Sequence, residues 1–413
     1  MRIGISTWTR RLAGGVETYL AALVPALLDR GHDVSLLHEV DDPADRAPIT
    51  LAGAVPHWCA SDGVDGALAG LTAWRPDVIF AQGLEDPGLE ARVAAIAPAV
   101  LFAHAYRGTC VSGTKTFAAL ENTPCARRLG WQCLVHYLPH RCGGLNPLTM
   151  TRMYRRESHR RDLLDQYASV VMFSEHIQQE YVRHGVASRR THRLPCHVPS
   201  TPQQVTGRKA GSGGVPSRVV FIGRMETLKG GQVLLEALPA VQASLGRPLH
   251  VTFAGDGRRR LEWEAQAKKL FATGAGSRVE FTGWLRPDER TRLLAEADLL
   301  VVPSLWPEPF GLIGLEAAAC GVPSAAFDVG GISEWLHDGV NGHLASAGSP
   351  RADNLAAAIV KCLRDPAGHA ALARGAVEVA SRHSMPAHVS ALLAVLNAAA
   401  SPVARVNTDD PAA

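Results

Sequence analysis

The chain has 413 residues, 46% of them hydrophobic and 20% charged, with a formal net charge of +3. That length divides into about two or three domains, each able to bury its own core. The composition is far from disordered or coiled-coil extremes, and so small a net charge excludes a chain-wide polyanion-binding surface: no nucleic-acid partner is expected, and any basic patch must be local.

Arg2 to Ser6 reads as a strand, with no apolar signal core ahead of it. No uncharged apolar run reaches the ~18 residues of a spanning helix, so a cytoplasmic protein is expected, at most peripheral to the inner face of a membrane. Val34 to Leu37, Asp77 to Ala81, Val100 to Ala103 and Ser169 to Ser174 are further short apolar runs that alternate with helical stretches, a parallel α/β layout. Gly14-Gly15 opens the first helix, which keeps apolar residues at helical spacing to Leu28 and stops at Gly31. With no side chain in the way, backbone at Gly14 and Gly15 can approach a ligand closely.

Residues 106–148 have little periodicity and hold Cys110, Cys125, Cys133 and Cys142 together with His136 and His140. Thiolates beside imidazoles suit a structural metal site, but no Cys-x-x-Cys pair occurs, so free thiols or a single disulfide are the alternative. The expected helix from Leu148 to Gln166 carries Arg152, Arg155, Arg156, Arg160 and Arg161, with Arg189, Arg190 and Arg193 further on. These form either a basic face for anionic lipid or a charged acceptor, or a solvated helix balanced by Glu157, Asp162 and Asp165.

Pro199 to Pro216 is rich in Thr, Pro, Gly and Ser and reads as a linker. The expected boundaries are 1–200 for an acceptor-binding domain, 201–217 for the linker and 218–385 for a donor-binding domain. A helix over 386–400 would pack back on the first domain, and 401–413 is a tail. In the second domain, Val219 to Ile222, His250 to Phe253, Val279 to Thr282, Leu299 to Val302 and Ser324 to Phe327 are strands alternating with helices. Two Rossmann-like, doubly wound parallel sheets are therefore expected. Ligands lie beyond the carboxyl ends of such strands, so the halves would face each other across an interdomain cleft.

After the strand ending at Ile222 comes Gly223-Arg224-Met225-Glu226-Thr227-Leu228-Lys229-Gly230-Gly231. Arg224, by paired donors, and Lys229, as a point charge, could grip adjacent phosphates, or be solvated surface cations. Gly255-Asp256-Gly257 and Gly283-Trp284-Leu285 end the next two strands. Trp284 and Leu285 either seat a nucleobase or belong to a tight turn. The richest segment follows the strand over Leu299 to Val302: Glu308-Pro309-Phe310-Gly311-Leu312, then a helix bearing Glu316. Its first amides, at Gly311 to Ile313, are unpaired donors suited to an anion, and a carboxylate on either side can accept hydrogen bonds from polyol hydroxyls. Gly330-Gly331 with Glu334 completes the set.

In their order, these motifs resemble the retaining glycosyltransferases of family 4 (glycosyl transferases group 1), which have the GT-B fold. The likeness is strong over nearly all of the second half and covers the first by its opening turn and general layout. It implies that Arg224 and Lys229 bind the donor diphosphate, Glu316 the ribose and Glu308 the hydroxyls of the transferred sugar, with backbone from Phe310 to Leu312 meeting phosphate and sugar. It also implies retention of anomeric configuration, attack on the face the diphosphate leaves, and a site histidine at His104. Many relatives carry an acidic residue directly after that histidine, where this chain has Ala105. The resemblance favours a UDP-hexose.

Breaking a sugar-diphosphate bond leaves negative charge on the departing phosphate, so donors aimed there are the expected main catalytic contribution. No Asp-x-Asp pair occurs in the chain, and transfer without a divalent ion or any other cofactor is expected. The expected partners are a nucleotide-sugar donor and a glycan, lipid-linked or small-molecule acceptor. A nucleotide-sugar epimerase or hydrolase on the same scaffold, or a nucleotide-sugar-binding protein without turnover, are the rival readings.

Overall fold

A computed structural model describes residues 1–12, 14–42, 46–49, 55–198, 217–271, 277–349 and 351–401. The expected linker, apart from Ser217, and the tail beyond Ser401 lie outside the described residues. The chain forms two compact units, one of Met1–Ala119, Cys125–Pro199 and Ser384–Ala413, the other of Leu120–Pro124 and Ser200–His383.

In the first unit seven strands form one parallel sheet: β1 (Arg2–Thr9), β2 (Asp33–Val40), β3 (His57–Cys59), β4 (Val78–Ala81), β5 (Ala99–Phe102), β6 (Ser169–Met172) and β7 (Thr191–Arg193). The spatial order is β3-β2-β1-β4-β5-β6-β7. Strand order reverses between β1 and β4. Strands β4 and β5 are continuous apolar runs, buried at every position, because both sheet faces are covered. The last helix, Met385–Ala400, belongs to this unit: Val389, Leu392 and Leu396 join Ile3, Leu20, Leu23 and Phe80 in one core. Ser384 caps that helix by accepting from the Ala387 amide, and burial of each large apolar side chain contributes about 1.5–3 kcal/mol.

The second unit repeats the plan with β8 (Ser217–Ile222), β9 (Leu249–Ala254), β10 (Arg278–Gly283), β11 (Leu299–Val302), β12 (Ser324–Phe327) and β13 (Gly342–Ala345), in the order β10-β9-β8-β11-β12-β13, all parallel. Here the order reverses between β8 and β11. Trp263, fully buried against Phe221 and Phe253, fills the space beneath Gly231; a Cβ there would come within 2.3 Å of its ring.

Three strands of the two parallel sheets escaped the sequence reading: β3, β7 and β13. Each is a three- or four-residue strand at a sheet edge, too short to show a period, and Gly342 in β13 resembles a turn signal. Among the described residues no helix is long and apolar enough to cross a membrane.

Candidate active site

The second unit gathers its chemistry at the carboxyl ends of β8 and β11, the strands either side of its switch point, where open parallel sheets bind ligands. After β8 the loop is stitched to the one after β9: the Gly223 amide donates to Ala254 O at 3.0 Å and the Met225 amide to Asp256 O at 2.8 Å. Gly255 and Gly257 permit this, because a Cβ at either would lie 2.0 Å from Gly223 O or 2.5 Å from Met225 O. Arg224 stands exposed on this loop and makes no ion pair among the described residues. The single turn Thr227–Lys229 ends at Gly230, whose φ of +70° and position against Pro303 O admit no side chain.

That turn brings Lys229 to Glu308. Lys229 Nζ lies 2.6 Å from Glu308 Oε1, the same oxygen accepts from Ser304 Oγ, and the ammonium sits 5.1 Å from the centre of the Trp306 ring. Glu308 is only 6% exposed. Burial works to raise its carboxyl, but the Lys229 charge and the hydrogen bonds from Lys229 and Ser304 outweigh it and hold the group below the ordinary carboxylate value.

The loop bearing Glu308 is braced from the far side. Gly331 donates its amide to Glu308 O at 2.7 Å, and Gly330, at φ +64°, has Glu308 O only 2.3 Å from where a Cβ would stand. Trp335 Nε1 donates to Phe310 O at 2.7 Å. Helix Leu312–Ala319 then starts from Gly311 at φ +91° with no side chain capping its end, which leaves its first amides as anion donors. Trp335 packs so closely on this helix that a Cβ at Gly314 would fall 2.1 Å from its ring.

Glu316, one turn into the helix, is held by Arg290 of helix Pro287–Ala295, with Nε 2.7 Å from Oε2. Burial prevails over that cation and keeps the Glu316 carboxyl above its ordinary value. The two glutamates are thus pushed in opposite directions, the separation that distinct roles require. Trp284, 45% exposed, and Leu285 lie between β10 and the helix that carries Arg290. Lys229 and Glu308 are in contact, Phe310 is tied to Trp335, and Glu316 is anchored separately by Arg290. Arg290, Ser304, Trp306 and Trp335 were missed by sequence reasoning. Of these only Trp335, directly after the Gly330-Gly331-Glu334 motif, offered a signal.

In the first unit, Gly14 precedes helix Gly15–Asp29, whose buried Glu17 has its carboxyl raised by burial. Beside Gly15 the space is open: a Cβ would meet nothing within 4 Å. His104, just past β5, is half-buried; its Nε2 donates to Gln82 Oε1 at 2.7 Å, which leaves Nδ1 as an acceptor. Burial, then the Arg107 charge, push its pKa down to about 3, so the ring is neutral.

Cys110, Cys125, Cys133 and Cys142 do line one small cavity, but among the described residues no three His, Cys, Asp or Glu converge as metal ligands. Thiols drawn together in a poorly solvated space raise one another instead, and Cys142 is pushed up to about 12 by burial and then by its neighbours. On the observed helix Pro147–Leu163 several arginines are balanced by acids, as the solvated-helix alternative has it, while Arg152 and Arg155 stay exposed with no ion pair among the described residues. Arg160, 4% exposed, turns inward to Glu157 and Glu90, and Arg156 pairs with Glu85 and Glu157. Arg190 is bound to Asp165 and Arg193 to Glu175. Arg160 is internal because a buried carboxylate is tolerated only with a partner.

Two parallel-sheet Rossmann-like units, with phosphate-type donors and paired carboxylates at a switch point, define a GT-B glycosyltransferase. The model of Glycosyltransferase Family 4 matches residues 13–201 and that of Glycosyl transferases group 1 matches residues 216–365; the chain belongs to this family. It is 28% identical to the glycogen synthase of Mycobacterium tuberculosis, over 91% of this chain and 89% of that one. It is 38% identical to the D-inositol 3-phosphate glycosyltransferase of Mycobacterium marinum, but that match spans 43% of this chain and only 37% of the relative. The fold is similar to that of Anabaena HepE, solved in complex with UDP and glucose, with TM-score 0.66 and 19% identity over 96% of this chain and 100% of that one.

Proposed function

We propose that the chain is a retaining glycosyltransferase that moves a hexosyl group from a nucleotide-diphosphate sugar, a UDP-sugar first, to an acceptor hydroxyl without a divalent ion. One observation carries the reading: the Lys229–Glu308 contact at the β8/β11 switch point, beside the uncapped helix end at Gly311. Arg224, Lys229 and the helix amides neutralise the departing diphosphate, while Glu308 orients sugar hydroxyls. Glu316, steadied by Arg290, keeps Oε1 for the ribose. His104 presents Nδ1 to a sugar hydroxyl. A phosphate oxygen takes the acceptor proton, so no enzyme base is required. The donor half of the reading is supported by UDP-bound HepE; the acceptor, whether a glycan, a lipid-linked sugar or a small molecule, is assigned to the first unit.

The test is a panel of UDP-, GDP-, ADP- and dTDP-sugars screened by melting temperature, which rises because binding adds about 2.7 kcal/mol of stability at a hundredfold excess over Kd. Products are then analysed with and without EDTA. Transfer product that survives EDTA, with the donor's anomeric configuration kept, is the expected result. An epimer, free sugar alone, or binding without turnover selects a rival reading.

A further inference from the structure

The region after Tyr106 plays no part in the donor chemistry, yet its surface is unlike the rest of the molecule. From Cys125 to Arg156 the chain carries six arginines and no aspartate or glutamate. Five of the six, Arg127, Arg128, Arg141, Arg152 and Arg155, are exposed and make no ion pair among the described residues. Apolar side chains stand among them: Trp131 is 68% exposed, Val135 60%, Leu145 64% and Leu148 76%. These are four of the five most exposed large apolar side chains among the described residues.

The pattern follows from how two helices pack. Gln132–Tyr137 and Pro147–Leu163 lie together over a small core in which Tyr137, Val111 and Leu129 are buried against Cys133, Met150, Met153 and Tyr154. Their inner faces are therefore satisfied. The outward positions at helical spacing are Trp131 and Val135 on the first, and Leu148, Arg152 and Arg155 on the second. A solvated helix face needs no Trp and Leu at its most exposed points.

We propose that this insertion docks the protein on an anionic lipid bilayer, Trp131 and Leu148 entering the headgroup boundary and the five arginines meeting lipid phosphates. Indole rings favour the headgroup level, aliphatic tips favour the acyl boundary, and cations are drawn to anionic headgroups. Charge complementarity selects this occupant: a second copy would bring an equally cationic, carboxylate-free patch and be repelled. The proposal stands apart from the donor chemistry, since none of these residues belongs to the second unit.

The experiment is flotation of the full chain with vesicles of phosphatidylcholine alone and with about 30% phosphatidylglycerol, at low and high salt. Expected is salt-sensitive binding to the anionic vesicles only. Arg152→Glu with Arg155→Glu should weaken it by about fivefold or more per charge, and Trp131→Ser with Leu148→Ser comparably, with melting temperatures unmoved. Absence of binding, equal binding to neutral vesicles, or binding untouched by either pair overturns the proposal. So does a concentration-dependent self-association that Trp131→Ser with Leu148→Ser abolishes.

Discussion

Lys229 and Glu308, 79 positions apart, meet with Nζ 2.6 Å from Oε1, so the cation assigned to a diphosphate and the carboxylate assigned to a sugar neutralise one another. On the proposed function, an incoming diphosphate must compete with Glu308 for the ammonium. The contact exists because β8 and β11, remote in sequence, are neighbours in the sheet.

Lys229→Ala removes the main cation beside a carboxylate that is 6% exposed. The Glu308 carboxyl should then titrate higher, since burial is opposed only by the remaining hydrogen bonds. Transfer should fall by about 10²–10³ in kcat, the scale for losing one donor to a departing oxyanion. Stability cycles with Glu308→Gln should give a coupling of about 1–3 kcal/mol, and additivity would disprove the pairing.

Arg290→Ala frees Glu316 from its anchor and leaves a buried carboxylate without its cation. The expected signature is a raised KM for the donor that Arg290→Lys restores in part, together with a smaller change in kcat. Initial-rate kinetics against donor concentration check it. Equal KM values in both variants would make Arg290 an ordinary surface residue.

Gly330→Ala places a side chain at φ +64° and 2.3 Å from Glu308 O, so the loop bearing Glu308 must shift. Destabilisation of about 1–3 kcal/mol is expected from the backbone alone, and more from the contact. Gly339, also at positive φ but with nothing within 4 Å of its Cβ position, is the control. Gly339→Ala should cost less and leave activity intact, as followed by melting curves and product formation.

Acid should weaken the first unit. His197, 1% exposed and with neither ring nitrogen hydrogen-bonded among the described residues, is pushed by burial from 6.5 down to about 4. His388, also lowered by burial, donates from Nδ1 to Pro195 O and accepts from the Tyr19 hydroxyl at Nε2, a role that a proton would end. Because the folded values lie below the unfolded one, stability is complete above pH 6.5 and declines as pH falls toward the folded pKa. For His197 the loss should be about 2 kcal/mol by pH 5. His197→Phe should flatten that slope in melts between pH 8 and 5; an unchanged slope refutes the assignment.

The donor segment was legible in the sequence because its meaning is local. A continuous apolar strand, a proline-rich turn and an alanine-rich helix place Glu308, Gly311 and Glu316 within one strand-loop-helix unit whatever surrounds them. The edge strands His57–Cys59 and Thr191–Arg193 were not legible, since three residues show no period. The arginine-rich helix was left between a basic face and a solvated, acid-balanced one because helical spacing tells which residues share a side, not which side turns inward.

The sequence by itself determined the α/β alternation, the glycines that free backbone for close approach, and the residue types gathered at strand ends, for these depend on interactions within a few positions along the chain. Only the tertiary structure decided that Lys229 pairs with Glu308, that Arg290 takes Glu316 and that Trp335 buttresses Phe310. Each of those choices turns on which strands and helices become neighbours. Burial sets that order across the whole chain, and no local window contains it.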